Sequence, residues 1–137
     1  MKRDLSFGAV VFRQHCGKRE YLLVHHASGQ HWDHPKGHPE RGESPWETAK
    51  REVEEESGVL VSLRSGMRLE ASWTLPSGQP KTVTYYLGEA TGEGVTGGPE
   101  GEILNCQWCS FSQAMERITW ESGKEVLKAA EEILNGE

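Results

Sequence analysis

Glu47, Glu52, Glu54, Glu55 and Glu56 place five acids within ten positions. A charge run of this kind is ordinarily a solvated helix face, and spacing tests that reading. At roughly 100° per residue, Glu52, Glu55 and Glu56 share one helix face, while Glu47 and Glu54 point elsewhere. Trp46, Ala49 and Val53 form the apolar stripe of the same segment, with Glu52 and Glu56 alongside it. Like charges at i,i+4 oppose a helix by about 0.2–0.5 kcal/mol per pair. Three carboxylates held at the edge of a packed face therefore make sense when a cation lies between them. Oxygen donors of this type suit Mg²⁺, and Mn²⁺ can substitute.

The elements that must position this cluster are equally legible. Ser44 suits a helix N-cap, Pro45 the first helical position, and Glu47 completes an S-x-x-E capping box. Gly58 stands where a left-handed C-terminal cap belongs, so residues 45–57 read as a helix with a defined start and stop. Before it, residues 7–13 and 20–25 are rich in β-branched and aromatic residues and read as strands, with a turn at 16–18. Residues 27–42 read as a loop dense in His, Pro and Gly. After the helix, residues 67–75 alternate, with Met67, Leu69, Ala71, Trp73 and Leu75 on one face, and residues 81–90 form the hairpin partner. Six glycines between 88 and 101 suggest a mobile loop, and a short strand is expected over 106–110. A last helix is expected behind a second box, Ser122-x-x-Glu125, with Val126, Ala130, Ile133 and Leu134 as its apolar stripe. Strands interleaved with helices imply a mixed sheet with helices on its faces.

At 137 residues the chain fits a single domain, 1–137, able to bury a core without staples. No signal peptide or membrane span is legible, and a cytoplasmic location is expected. The net charge of −6 argues against a stable nucleic acid partner while leaving small anions accessible beside divalent cations. Cys106-x-x-Cys109 has zinc-knuckle spacing without a second pair of ligands, so both cysteines read as strand residues in a reducing compartment. A monomer or homodimer is expected.

From Gly37 the chain runs five residues to Glu43, seven more, and then Arg51-Glu52-Val53-Glu54-Glu55-Glu56-Ser57-Gly58-Val59. This resembles the box of the Nudix hydrolases, G-x5-E-x7-R-E-U-x-E-E-x-G-U with U aliphatic, at every fixed position. The resemblance implies a Nudix α/β/α sandwich with a mixed sheet and a loop–helix–loop motif. It also implies metal-binding carboxylates at Glu52, Glu55 and Glu56, with Arg51 orienting the neighbouring acids, Glu43 among them. Metal ions withdraw charge from phosphate oxygens and lower the pKa of a water. A carboxylate accepts its proton, and Glu52 is the preferred base. These four residues, Arg51, Glu52, Glu55 and Glu56, are the expected catalytic set.

Outside the box, residues 27–38 (ASGQHWDHPKGH) and 81–87 (KTVTYYL) resemble segments of the diadenosine tetraphosphate hydrolases within that family. Asp33-His34 departs from their pattern, which has less polar residues there. The resemblance implies that Lys36 and Lys81 contact a polyphosphate, His31 and His38 add hydrogen bonds, and Tyr85 stacks on adenine. Glu102, six residues before Trp108, resembles a glutamate that assists at the metal. Plainer readings stand beside these. Tyr85 shares a strand face with Val83 and Leu87 and is equally suited to core packing. Lys81 could be a solvated strand end, and the five histidines between 25 and 38 could be surface or loop-packing residues. The implied activity is Mg²⁺-dependent, asymmetric cleavage of diadenosine tetraphosphate to ATP and AMP. Its rivals are another pyrophosphohydrolase on the same scaffold, acting on oxidised nucleoside triphosphates, diphosphoinositol phosphates, nucleotide sugars or RNA 5′-triphosphates, and a silent nucleotide-binding module.

Overall fold

The computed structural model describes residues 2–92 and 98–137. Strands β1 (Asp4–His15) and β2 (Lys18–His26) are joined by Cys16 and Gly17, both with positive φ. That two-residue turn matches the twist of an antiparallel hairpin. Next come two short strands, β3 (Trp32–Asp33) and β4 (Lys36–Gly37), helix α1 (Pro45–Ser57), and the hairpin β5 (Val61–Thr74) and β6 (Pro80–Ala90). The chain ends with β7 (Ile103–Cys109), α2 (Phe111–Arg117) and α3 (Glu121–Asn135). The sheet runs β3-β2-β1-β6-β5, with β4 on β1 and β7 on β2. Only the β1–β6 pairing is parallel among those described, so the sheet is mixed, as expected.

Two cores sandwich it. On one face Phe7, Ala9, Val11, Leu22 and Val24 pack against Ala49 and Val53 of α1. On the other, Val10, Leu23, Val83, Tyr85 and Leu87 pack against α2 and α3 through Ala114, Val126, Leu127, Ala130 and Leu134. This is the α/β/α arrangement that the alternation implies.

Several expectations need correction. The segment expected to be a loop over 27–42 contains a 3-10 turn (Ser28–Gln30) and both short strands, because β4 continues the hydrogen bonding that β2 leaves open along β1. Strand β5 starts six residues earlier than the alternation suggests. Between Leu63 opposite Gly88 and Arg68 opposite Tyr86 the register slips, with Gly66 at φ +78°. The slip inverts the inward phase: Val61 and Leu63 face the α1 core, whereas Met67, Leu69 and Ala71 face α3. The box expected at Ser122–Glu125 is not formed. Helix α3 begins at Glu121 behind Trp120, without a side-chain cap. Its entry is fixed instead by β3, through Thr119 N–H to Trp32 O and Trp32 N–H to Thr119 Oγ1. The missed α2 carries a true box, Ser110 with Gln113, whose S-x-x-Q signal was present in the sequence. Of the loop expected over 88–101, residues 88–90 belong to β6 and residues 93–97 lie outside the described residues. Cys106 and Cys109 both lie on β7, one in each core and both unpaired, a geometry that cannot form a knuckle.

Candidate active site

Helix α1 is fixed at both ends by the signals its sequence carries. Ser44 Oγ accepts from Glu47 N–H, the Glu47 carboxylate accepts from Ser44 N–H, and Gly58 caps the far end at φ +76°. With the helix pinned, the rotation of its acids is set. Glu52 keeps only 14% of its side chain exposed, whereas Glu55 keeps 49%. Gly37 of β4 sits directly over Glu52: a Cβ there would lie 2.3 Å from its carboxylate. Any larger residue would displace the acid.

Arg51 ties the acids together. Its Nε and Nη2 donate to the two oxygens of Glu43 at 2.6 and 3.0 Å. Nη1 donates to Glu52 at 2.6 Å and Glu55 at 2.8 Å, and Nη2 also reaches His38 O. The guanidinium pulls the Glu43 carboxyl down to about 2. Thr48 Oγ1 and Glu40 N–H complete the Glu43 oxygens. Glu43 is thus a fixed anchor for Arg51, spent on structure.

Glu56 is different. Among the described residues its carboxylate accepts only the Lys36 N–H, at 3.0 Å. Burial, and then the neighbouring Glu52 charge, push its carboxyl up to about 8. Burial also raises Glu52, against the pull of Arg51. Two carboxylates are therefore held together with less positive charge than they need. That deficit and the hard oxygen donors fit a divalent cation, which Glu52, Glu55 and Glu56 would hold. Among the described residues no three acidic, His or Cys side chains already converge on one point, since Arg51 holds Glu52 and Glu55. Glu102 is exposed just before β7, and its carbonyl accepts from Ala27 N–H at 2.9 Å; among the described residues no hydrogen bond or ion pair ties its side chain to the glutamates.

Cationic groups flank β1 on both edges. Lys36 pairs opposite Gly8 on one side, and Lys81 pairs opposite Asp4 on the other. Lys81 is no solvated strand end: it is buried, and its Nζ donates to Asp4 at 2.9 Å and Ser6 at 2.6 Å. His38 Nε2 lies 2.8 Å from the same Asp4 oxygen and 3.4 Å from Lys81 Nζ. His31 stacks on His26 and tilts against Trp120 at 6.1 Å.

Tyr85 takes the plainer of its two readings. It is 2% exposed, lies in the α3-side core, and meets His34 edge-on, so neither ring face is open to a base. The aromatic surface lies elsewhere. Trp73 is 39% exposed and Trp120 55% exposed, and both line one cleft with Glu121 and Ser122. Trp73 stands opposite Lys81 in the β5–β6 ladder. Two exposed tryptophans far apart in sequence give no local signal; only the β5–β6 register and the α3 entry bring them together.

A glutamate helix latched by one arginine, beneath lysines on a mixed sheet, is the equipment of a phosphoanhydride hydrolase. The chain matches the NUDIX domain over residues 2–130; it belongs to the Nudix family and is a pyrophosphohydrolase. It is 31% identical to the asymmetrical bis(5′-nucleosyl)-tetraphosphatase of Rattus norvegicus, over 93% of this chain and 92% of that one. The corresponding Caenorhabditis elegans protein is 28% identical over 94% and 95%. A C. elegans Ap4A hydrolase binary complex superposes with a TM-score of 0.87 at 27% identity, covering 98% of this chain and 99% of that one.

Proposed function

We propose that this chain is a Mg²⁺-dependent hydrolase of dinucleoside polyphosphates that cleaves diadenosine tetraphosphate asymmetrically, yielding ATP and AMP. The observation that carries the reading is the placement of Lys36 and Lys81 on either edge of β1, with Glu52 and Glu56 beneath the Gly37 turn. Similarity over nearly the whole length to asymmetrical tetraphosphatases supports it.

A divalent cation on Glu52, Glu55 and Glu56 supplies charge neutralisation at the anhydride oxygens and a more acidic attacking water; Mn²⁺ can replace Mg²⁺. The chain's own residues do the rest. Lys36, Lys81 and His38 hold the polyphosphate anion. Glu52 accepts the proton of the water, and Arg51 keeps that carboxylate aimed. An adenine stacks at Trp73 and Trp120, in place of Tyr85, beside His31. Chromatography after incubation with diadenosine tetraphosphate and Mg²⁺ in ¹⁸O-labelled water is expected to give ATP plus AMP, with label in one product. Two molecules of ADP would overturn the asymmetric cleavage, and no cleavage beside rapid turnover of another nucleotide diphosphate would replace the substrate assignment.

Base–aromatic stacking is worth about 1–3 kcal/mol per base. Trp73→Ala and Trp120→Ala are each expected to raise KM for diadenosine tetraphosphate about ten-fold. Their turnover of a substrate lacking a base should change little. Unchanged KM in both variants would place the base elsewhere.

A further inference from the structure

Asp33 is a buried carboxylate that the chemistry above does not use. It lies in the Asp33-His34 pair, and the backbone around it is held at successive points. His34 N–H donates to Asp33 Oδ1 at 2.8 Å, and His34 Nε2 meets Gly123 O at 3.1 Å. Pro35 O accepts from Ala9 N–H at 3.2 Å, and Lys36 N–H donates to Glu56 Oε1 at 3.0 Å. Gly8 lets this turn approach, since a Cβ there would fall 2.2 Å from Pro35 O. The far side is closed by the first turn of α3, where a Cβ on Gly123 would stand 3.1 Å from Asp33 Oδ1.

This packing fixes the Lys36 backbone but not its ammonium, which hangs on four rotatable bonds. The ion partner of that ammonium is Asp33 Oδ2, at 3.7 Å. The carboxylate is almost wholly enclosed, with Oδ1 taken by His34 N–H and the first turn of α3 packed against it. The lysine side chain keeps 22% of its surface exposed, so its ammonium is open to solvent on one side. A buried, hydrogen-bonded anion beside a cation on a flexible stem limits where that cation can point.

We infer that Asp33 is a positioning residue, which aims the Lys36 ammonium at the polyphosphate. This rests on the assignment of Lys36 to the substrate phosphates. A merely structural aspartate would affect folding alone, and its removal would cost the same whether or not Lys36 is present.

The test is a double-mutant cycle on the full chain, with diadenosine tetraphosphate and Mg²⁺ as probe. Asp33→Asn keeps the acceptor for His34 N–H and removes the charge. It is expected to lower kcat/KM about ten-fold, split between KM and kcat in the same proportion as in Lys36→Gln. In the Lys36→Gln background the same change is expected to have no further effect. Asp33→Ser, which also keeps a small acceptor, serves if the asparagine variant does not fold. An equal loss in both backgrounds, or no loss in the single variant, overturns the positioning role. If Lys36→Gln itself leaves kcat/KM unchanged, the assignment of Lys36 to phosphate is what fails, and the positioning role falls with it.

Discussion

Replacing Glu56 with Gln is expected to reduce kcat about 10³-fold while leaving the metal-free protein more stable at alkaline pH than the parent. The first half follows from the role of Glu56 in the cation site: the amide keeps the size but loses the charge that balances a divalent ion. The second half follows from its titration. Folding pushes Glu56 from 4.5 up to about 8, through burial and then the Glu52 charge. Between those two values the folded chain retains a proton that the unfolded chain has released. The associated stability is therefore complete below about pH 4.5, falls as pH rises through the window, and is gone above about pH 8. The loss is on the order of 5 kcal/mol, and Glu52 shifts in the same direction. Thermal melts in EDTA should show the parent losing stability from pH 5 to pH 8.5, with a much flatter profile in Glu56→Gln. Added Mg²⁺ should raise the parent's Tm more at pH 8.5 than at pH 5, because binding there displaces no proton. A Glu56→Gln variant within ten-fold of parental kcat, or with an undiminished pH slope, would remove Glu56 from the centre of the site.

Such a prediction can be framed from the sequence because the signals around Glu56 are local. Ser44, Pro45, Glu47 and Gly58 fix where α1 starts and stops, and a helix of fixed ends has a fixed rotation, so the side of each glutamate follows from its number. Gly37 opens the box and Lys36 precedes it, so both were also within reach. What the sequence could not carry was anything set by partners distant in the chain. Lys81 looks like the polar end of a strand, and only the parallel register with β1 puts Asp4 and Ser6 around it. Tyr85 is equally good as core or platform by type; α3 covering β6 decides for core. The inverted phase of β5 needs the slip near Gly66, which no alternation pattern reveals. Asp33 and His34 look like solvated loop residues until α3 closes over them. Trp120, placed just before a stripe of Val126 and Ala130, gives no hint that it shares a cleft with Trp73.

Arg51→Met is expected to cost roughly 2 kcal/mol of metal-free stability and about 10²-fold in kcat/KM, and Mg²⁺ should restore more stability to this variant than to the parent. One guanidinium satisfies Glu43 through two nearly parallel contacts and spans Glu52 and Glu55 with its remaining nitrogen. Without it three carboxylates face one another on adjoining turns of chain, and Glu43 loses the partner that holds the box loop to α1. The fork geometry predicts the ranking of substitutes. Arg51→Lys keeps the charge but has no planar pair of donors for Glu43, so it should recover part of the stability and little of the activity. A divalent cation at the proposed site would supply positive charge to Glu52 and Glu55 but not to Glu43, which the arginine holds through its other nitrogens. Mg²⁺ should therefore close part of the Tm gap between Arg51→Met and the parent and leave the remainder. A gap that Mg²⁺ closes completely would mean the Glu43 anchor contributes nothing. A gap that Mg²⁺ leaves untouched would mean that Glu52 and Glu55 are not where the cation binds.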